Sequence, residues 1–337
     1  MGQDNTEFAE KYIAELEEVA CNACGSREQE TIAERERFGL PLRTVICKNC
    51  GLIFINPRPT KEMYTEFYKS DYRKAVSGSD EGDAYQFRRE YNFAEQVSIP
   101  AIKKFLPGWT PKTIMELGSS YGGILYAHMQ NFPGSQGFGI EPLVKIGEYA
   151  RQQTGATIYT TLFEDYSPEQ LYDLVILSRT LNHTLDPKAN LTKVRHMLSE
   201  KGIFALILQD PISHTIHMPF ERVTEMTHPY MFTRESIQYL LGLAGLEVFG
   251  YEDEYIDARR MSRRDYRKLS FSYMVFLSRP GKQGQQVGRQ PDYRDTLARI
   301  QANQQAFVKD GDFIERWRNP TLNMRLFRKV LYLLGKW

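Results

Sequence analysis

"IMELGSSYGGIL", residues 114 to 125, sets the reading of the chain. An apolar run carrying one acid, Glu116, gives way to the small residues Gly118, Ser119, Ser120, Gly122 and Gly123, and then to a helical pattern. Strand, glycine turn and helix form the opening unit of an α/β sheet, whose ligand lies beyond the strand C-termini and approaches the first turn closely. A dinucleotide turn would have glycine where Ser120 stands, and its pyrophosphate would be repelled by Glu116. Glu141 ends the next apolar run, where an acid accepts hydrogen bonds from ribose hydroxyls. The turn therefore predicts an adenosyl ligand with a cationic head, the ammonium and sulfonium of S-adenosylmethionine.

Working outward, apolar runs at 113–117, 136–141, 156–160, 172–178 and 202–209 alternate with helical stretches. Alternation of this kind implies right-handed crossovers and a parallel sheet covered on both faces. "FTRESIQYLLGLAG" then predicts a helix, and "LEVFGYEDE" and "SYMVFLSRP" two more strands. The expected fold is α/β: a seven-stranded Rossmann-like sheet with its last strand antiparallel, preceded by a small zinc ribbon and followed by a helical tail.

The ribbon rests on the cysteines. All four lie in "CNAC" (Cys21, Cys24) and "CKNC" (Cys47, Cys50), each pair followed by a glycine, Gly25 or Gly51. This spacing lets a tight turn aim two thiolates at one ion, and four thiolates close a tetrahedral shell with no position for water. A structural zinc is expected, not a redox site, because neither pair sits in a strand-to-helix setting.

The remaining boundaries follow from punctuation and periodicity. Residues 1–62 read as an N-terminal helix and the ribbon, 63–108 as a helical connector, 109–280 as the ligand-binding domain and 281–337 as a helical tail. Tyrosines of the connector read as packing, with Tyr68 and Tyr72 as candidates to reach a substrate pocket. Net charge is +1 with 25% charged residues, which argues against the overall basicity of many nucleic-acid binders, so no specific nucleic acid is expected. The N-terminus has no leader pattern and no run of 18 apolar residues occurs, so a cytoplasmic protein is expected. In the tail, Leu326, Phe327, Val330, Leu331 and Leu334 form an apolar helical face beside Arg325, Arg328, Lys329 and Lys336. Such a face packs onto protein or lies on a membrane surface. The basic segment 257–268 is either an anion-holding rim or a solvated loop.

These marks together resemble the class I S-adenosylmethionine-dependent methyltransferases. The CxxCG pairs, "GLIFINPRP", "ELGSSYGG", "GIEP", "YDLVILSRTLNHTLDP" and "THPYMFTRESIQYLLGLAGLEV" are similar to the bacterial group with an N-terminal zinc ribbon that acts on sugars and surface polysaccharides. The resemblance implies that Glu116, Gly118, Ser119, Ser120, Gly122 and Gly123 surround the methionine half of the cofactor. It implies Glu141 and Pro142 at the ribose, Leu162 and Phe163 near adenine, and Ser178 and Arg179 beside the methyl group. Phe163 serves equally well as core packing.

Methyl transfer needs a group that removes a proton from the acceptor, and histidine suits that role near neutral pH. His183 follows the fourth strand on the ligand side, and His228 precedes the helix that leads to the sixth. Either is a candidate base; either also fits a buried structural role. His214, His217 and Glu221 border the same region. Related sugar C-methyltransferases carry a Glu-His pair at the second position, whereas Thr227 precedes His228 here. That departure favours methylation of a hydroxyl on a sugar, nucleotide sugar or glycan. Carbon methylation, RNA methylation and an inactive binding module are the alternatives.

Overall fold

The computed structural model describes residues 11–37, 39–70, 83–215, 219–255, 272–281 and 290–318. Tyr72, His217, the basic segment 257–268 and the apolar face of the tail lie outside the described residues.

Five short strands open the chain: β1 (Leu16–Glu17), β2 (Gln29–Ala33), β3 (Thr44–Cys47), β4 (Ile53–Ile55) and β5 (Arg58–Pro59). Helices α1 (Lys61–Ser70), α2 (Ala84–Gln96) and α3 (Ser98–Phe105) lead into the main sheet. Its first half runs β6 (Thr113–Leu117), α4 (Gly123–Asn131), β7 (Gln136–Ile140), α5 (Val144–Thr154) and β8 (Thr157–Tyr159). The second half runs β9 (Tyr172–Ser178), α6 (Pro187–Met197) and β10 (Leu198–Gln209), then β11 (Tyr230–Met231), α7 (Arg234–Leu243), β12 (Leu246–Tyr255) and β13 (Ser272–Pro280). Helix α8 (Tyr293–Arg318) follows.

The main sheet has the order β12-β13-β10-β9-β6-β7-β8. Its strands are parallel from β8 to β10, and β13 runs antiparallel to both β10 and β12, as expected of the last strand. Strand β9 shows why the sheet is central: Leu174 and Ile176 enter the cluster on one face, Val175 and Leu177 the cluster on the other, all fully buried. A strand covered on both faces must be apolar at every position, which is how "LVIL" reads. Chain order reverses between β6 and β9, so the ligand crevice of such a sheet lies beyond Leu117 and Ser178.

Two packing features join the expected segments. Helices α2 and α3 belong to the sheet's own core, because Phe93, Ala94, Ile99 and Ile102 share a cluster with Ile114 and Ile176. The cysteine module is also not a separate unit. Strand β11 joins β4, β3 and β2 in a four-stranded sheet, pairing Tyr230 with Phe54 and Met231 with Ile53. Cys21, Cys47 and Cys50 share one cluster with Tyr230, Phe232 and the main sheet. Met226 is buried among Tyr12, Leu40, Leu42, Ile55 and Phe67. A two-residue strand is too short to leave a periodic signal, so this closure was invisible in the sequence.

The start of the tail also folds back. Ile300 packs with Ile46, Ile53 and Ile212, and Asn303 donates to the Ile212 carbonyl at 3.1 Å and to Thr215 Oγ1 at 2.9 Å. Among the described residues, no helix is long and apolar enough to cross a membrane.

Candidate functional site

The turn after β6 carries unusual backbone. Gly118 has φ 76°, and a Cβ there would stand 2.7 Å from Thr180 Oγ1. Ser120 adopts φ 50°, a left-handed conformation costly for a side chain. Its amide donates to Glu141 Oε2 at 3.1 Å, and the other oxygen of that carboxylate accepts from Leu143 N at 3.0 Å. The glycine substituted by Ser120 is thus tolerated through a bond to the acid expected at the ribose. Ser119 faces the other way: it is buried, with N and Oγ both directed at the Ile140 carbonyl. It supports the turn from beneath.

Two carboxylates meet the start of α4. Glu116 accepts from Leu125 N at 2.9 Å, and Glu90 of α2 accepts from Gly123 N at 3.1 Å. Gly123 is required there, since a Cβ would fall 2.1 Å from the Phe87 carbonyl. Burial, and then the nearby Glu90, push the Glu116 carboxyl well above the usual carboxylate range. A cation placed beside this pair favours its ionised form, so these acceptor oxygens and their charge fit an ammonium or sulfonium. Glu90 was not foreseen, because an acid in an amphipathic helix reads as solvated.

Other expected cofactor residues divide. Pro142 is exposed next to Glu141 and Leu162 is half-buried, whereas Phe163 lies in the core cluster beneath Lys193, whose Nζ bonds the Phe163 carbonyl at 2.8 Å. Phe163 packs in the core at the place where the adenine contact is expected. At the end of β9, Arg179 takes φ 54° and sets its guanidinium 4.8 Å from the Phe93 ring. Ser178 Oγ and Arg179 Nε are buried with no hydrogen-bond partner among the described residues. Orphaned polar atoms at a switch point are what a missing ligand leaves.

Beside this crevice lies a cleft lined by Asn182, Gln209, His214 and His228 with Leu208, Val223, Met231 and Phe232 among its apolar walls. His228 Nδ1 is 3.1 Å from Glu225 Oε1, which also accepts from Thr227 Oγ1 at 2.7 Å, while Arg37 reaches Oε2 at 2.5 Å. The His183 ring stands 4.5 Å from that of His228, and its Nδ1 donates to the Thr227 carbonyl at 2.8 Å, with the Tyr68 hydroxyl 3.0 Å away. Tyr68, one of the two connector candidates, meets His183 behind the cleft rather than lining it. Glu221 is exposed.

Burial sets the charge state of this cluster. It pushes His183 down to about 3, reinforced by His228, and lowers His228 against the pull of Glu225. Burial alone would raise Glu225, but His228, Arg37 and the Thr227 hydroxyl outweigh it and hold the carboxyl at about 2. Near neutral pH the result is neutral imidazole beside ionised carboxylate. With Nδ1 of His228 turned to Glu225, the basic lone pair sits on Nε2. The carboxylate missing from position 227 is therefore supplied by Glu225; the signal was the "EMTH" spacing, which places Glu225 and His228 three residues apart.

In the cysteine module, the four Sγ atoms lie within 4.8 Å of one another, with Cys21 and Cys50 at 3.4 Å and Cys24 and Cys47 at 3.6 Å. Tetrahedral zinc with Zn–S of about 2.3 Å sets sulfurs about 3.8 Å apart, so the cluster fits such an ion.

Residues 88–249 match the family described as Methyltransferase domain. No curated protein matches the sequence. Among solved structures, one similar chain comes from the complex between the Haloferax volcanii Trm112 methyltransferase activator and a putative methyltransferase, at 16% identity and TM-score 0.46, covering 59% of this chain and 95% of that one. Another is the plantazolicin methyltransferase BpumL in complex with SAH, at 12% identity and TM-score 0.47, covering 65% and 94%. A third is a possible histamine N-methyltransferase from Thermotoga maritima, at 14% identity and TM-score 0.45, covering 64% and 99%. Likenesses this distant say nothing of the acceptor.

Proposed function

We propose that this chain, an enzyme by its methyltransferase domain, moves the methyl group of S-adenosylmethionine to a hydroxyl of a sugar, nucleotide sugar or glycan, with His228 as general base. The observation that carries the reading is the Glu225–His228 pair on the wall of a cleft beside the crevice. The cofactor supplies an electrophilic methyl carbon bonded to a positively charged sulfur. Around it, Glu141 holds the ribose hydroxyls, Glu116 and Glu90 face the cationic end, and Ser178 and Arg179 offer unpaired donors near the reacting atoms. With cofactor and acceptor bound, the methyl group would pass from sulfur to the acceptor oxygen, and His228 Nε2 would take up the hydroxyl proton. Glu225 then steadies the imidazolium, as an orienting carboxylate does in other histidine-based sites. Asn182 Oδ1, on the wall of the cleft, has no partner among the described residues and would accept from an acceptor hydroxyl.

Carbon methylation is the second reading, and Glu225 favours it, because a carboxylate–histidine pair of the kind used for carbon deprotonation is present after all. Both readings are tested by incubating the protein with S-adenosylmethionine and a panel of nucleotide sugars, with product connectivity read by mass spectrometry and NMR. His228→Ala is expected to lower turnover about a hundredfold or more while cofactor affinity persists. A His228 variant at full rate beside an inactive His183→Ala would transfer the role to His183.

A further inference from the structure

The two histidine-bearing segments pack on the main sheet through Leu181, Tyr230 and Phe232, but most of their side-chain and backbone hydrogen bonds run to the cysteine module and the helix that follows it. Along 224–231 the bonds run almost residue by residue to the N-terminal chain. Arg37 N donates to the Thr224 carbonyl at 2.9 Å and its guanidinium pairs with Glu225. Tyr64 and Tyr68 hydroxyls donate to the carbonyls of Met226 at 2.9 Å and Thr227 at 3.0 Å. Ile55 N donates to the Pro229 carbonyl at 2.9 Å, after which β11 enters the ribbon sheet.

The second segment is gripped by the metal-binding turn itself. Asn22, between Cys21 and Cys24, donates to Asp186 at 2.9 Å and accepts from Lys188 N at 2.9 Å, closing on the start of α6 just after His183. Arg58 bonds the Leu185 carbonyl and the Tyr230 hydroxyl, each at 3.0 Å, and so joins the two segments. By contrast, Glu116, Glu90 and Glu141 accept from backbone amides of the turns and helices of the main sheet.

We propose that the cysteine module is a positioning device for the acceptor-side histidines, acting through Arg37 on Glu225 and His228 and through Tyr68 on His183. Ion binding shapes the turn that carries Asn22 and the ribbon that carries Arg37, so occupancy of the four cysteines governs the histidine geometry while the cofactor turn keeps its own support. The inference rests on the proposed function, yet its readout does not require the acceptor.

The test uses the full zinc-loaded chain with ¹⁵N-labelled histidine, comparing wild type, Arg37→Met, Arg37→Lys and chelator-stripped protein. Wild type is expected to show His228 protonated at Nδ1, with Nε2 unprotonated. Stripping and Arg37→Met are expected to move His228 to a mixed tautomer, with Arg37→Lys restoring the wild-type signal. Calorimetry with S-adenosylmethionine is expected to stay within about twofold across the set, because the bonds that hold the cofactor turn come from Glu116, Glu90 and Glu141 rather than from the cysteine turns. Unchanged histidine signals on stripping would overturn the proposal, as would cofactor affinity lost in step with them, since that marks global unfolding. If wild type binds no S-adenosylmethionine, the methyltransferase reading fails, and the tautomer shift alone decides whether the clamp stands.

Discussion

Glu225→Gln removes a charge and almost no volume from the acceptor cleft. In the native protein the Glu225 carboxylate lies 3.1 Å from His228 Nδ1, which places the charge centres about 4 Å apart once the ring is protonated. At an effective dielectric of about 20 their attraction is about 4 kcal/mol. A base that has gained about half its charge at the transition state would lose about 2 kcal/mol, or roughly 30-fold in rate, and a fully charged one roughly 1000-fold. The expected kcat therefore falls between these limits. Stability should also fall, because a carboxyl held at about 2 by His228, Arg37 and Thr227 stabilises the folded state at neutral pH. Steady-state kinetics, calorimetry with S-adenosylmethionine and thermal unfolding separate the three quantities. If kcat stays within about threefold of wild type, no imidazolium forms at His228 and the assignment of the base is wrong.

Gly118→Ala forces a side chain into φ 76° and against Thr180 Oγ1 at 2.7 Å, so a loss of about 2 to 4 kcal/mol in unfolding free energy is expected; an unchanged urea midpoint would contradict the turn geometry. Acid should destabilise the fold early. Burial holds His183 at about 3 and His128 at about 4, both below the 6.5 of the unfolded chain, so the unfolded state takes up protons first. Their contribution is complete above 6.5 and is lost as pH falls toward 4 and then 3, at roughly 1.4 kcal/mol per pH unit per group; flat stability between about pH 6.5 and 4 would show that they are not buried neutral. Elemental analysis of protein purified without chelator should find one zinc per chain, and no bound metal would refute the reading of Cys21, Cys24, Cys47 and Cys50.

The sheet was legible because its signals are local. Strand β9 is apolar at successive positions, and the turn at 118–123 places small residues where backbone must come close. The cysteine pairs were equally legible from spacing. What escaped was long-range closure. Arg37 meets Glu225 across 188 positions, and no local pattern marks either as a partner. Strand β11 is too short for periodicity, so the ribbon looked like a free-standing unit when its fourth strand comes from the segment that bears His228. Glu90 looked solvated because an acid in a helix usually is, yet α2 presses so closely on Gly123 that its carboxylate caps α4.

The most direct test is calorimetric titration of the zinc-loaded chain with S-adenosylmethionine, beside Glu141→Ala. The wild-type chain should bind one molecule. The variant should lose about 1.5 to 3 kcal/mol, roughly 10- to 150-fold in affinity, because the ribose hydroxyls lose a charged acceptor. No binding by the wild-type chain, or equal affinity in the two proteins, would contradict the site built on Gly118, Ser120 and Glu141.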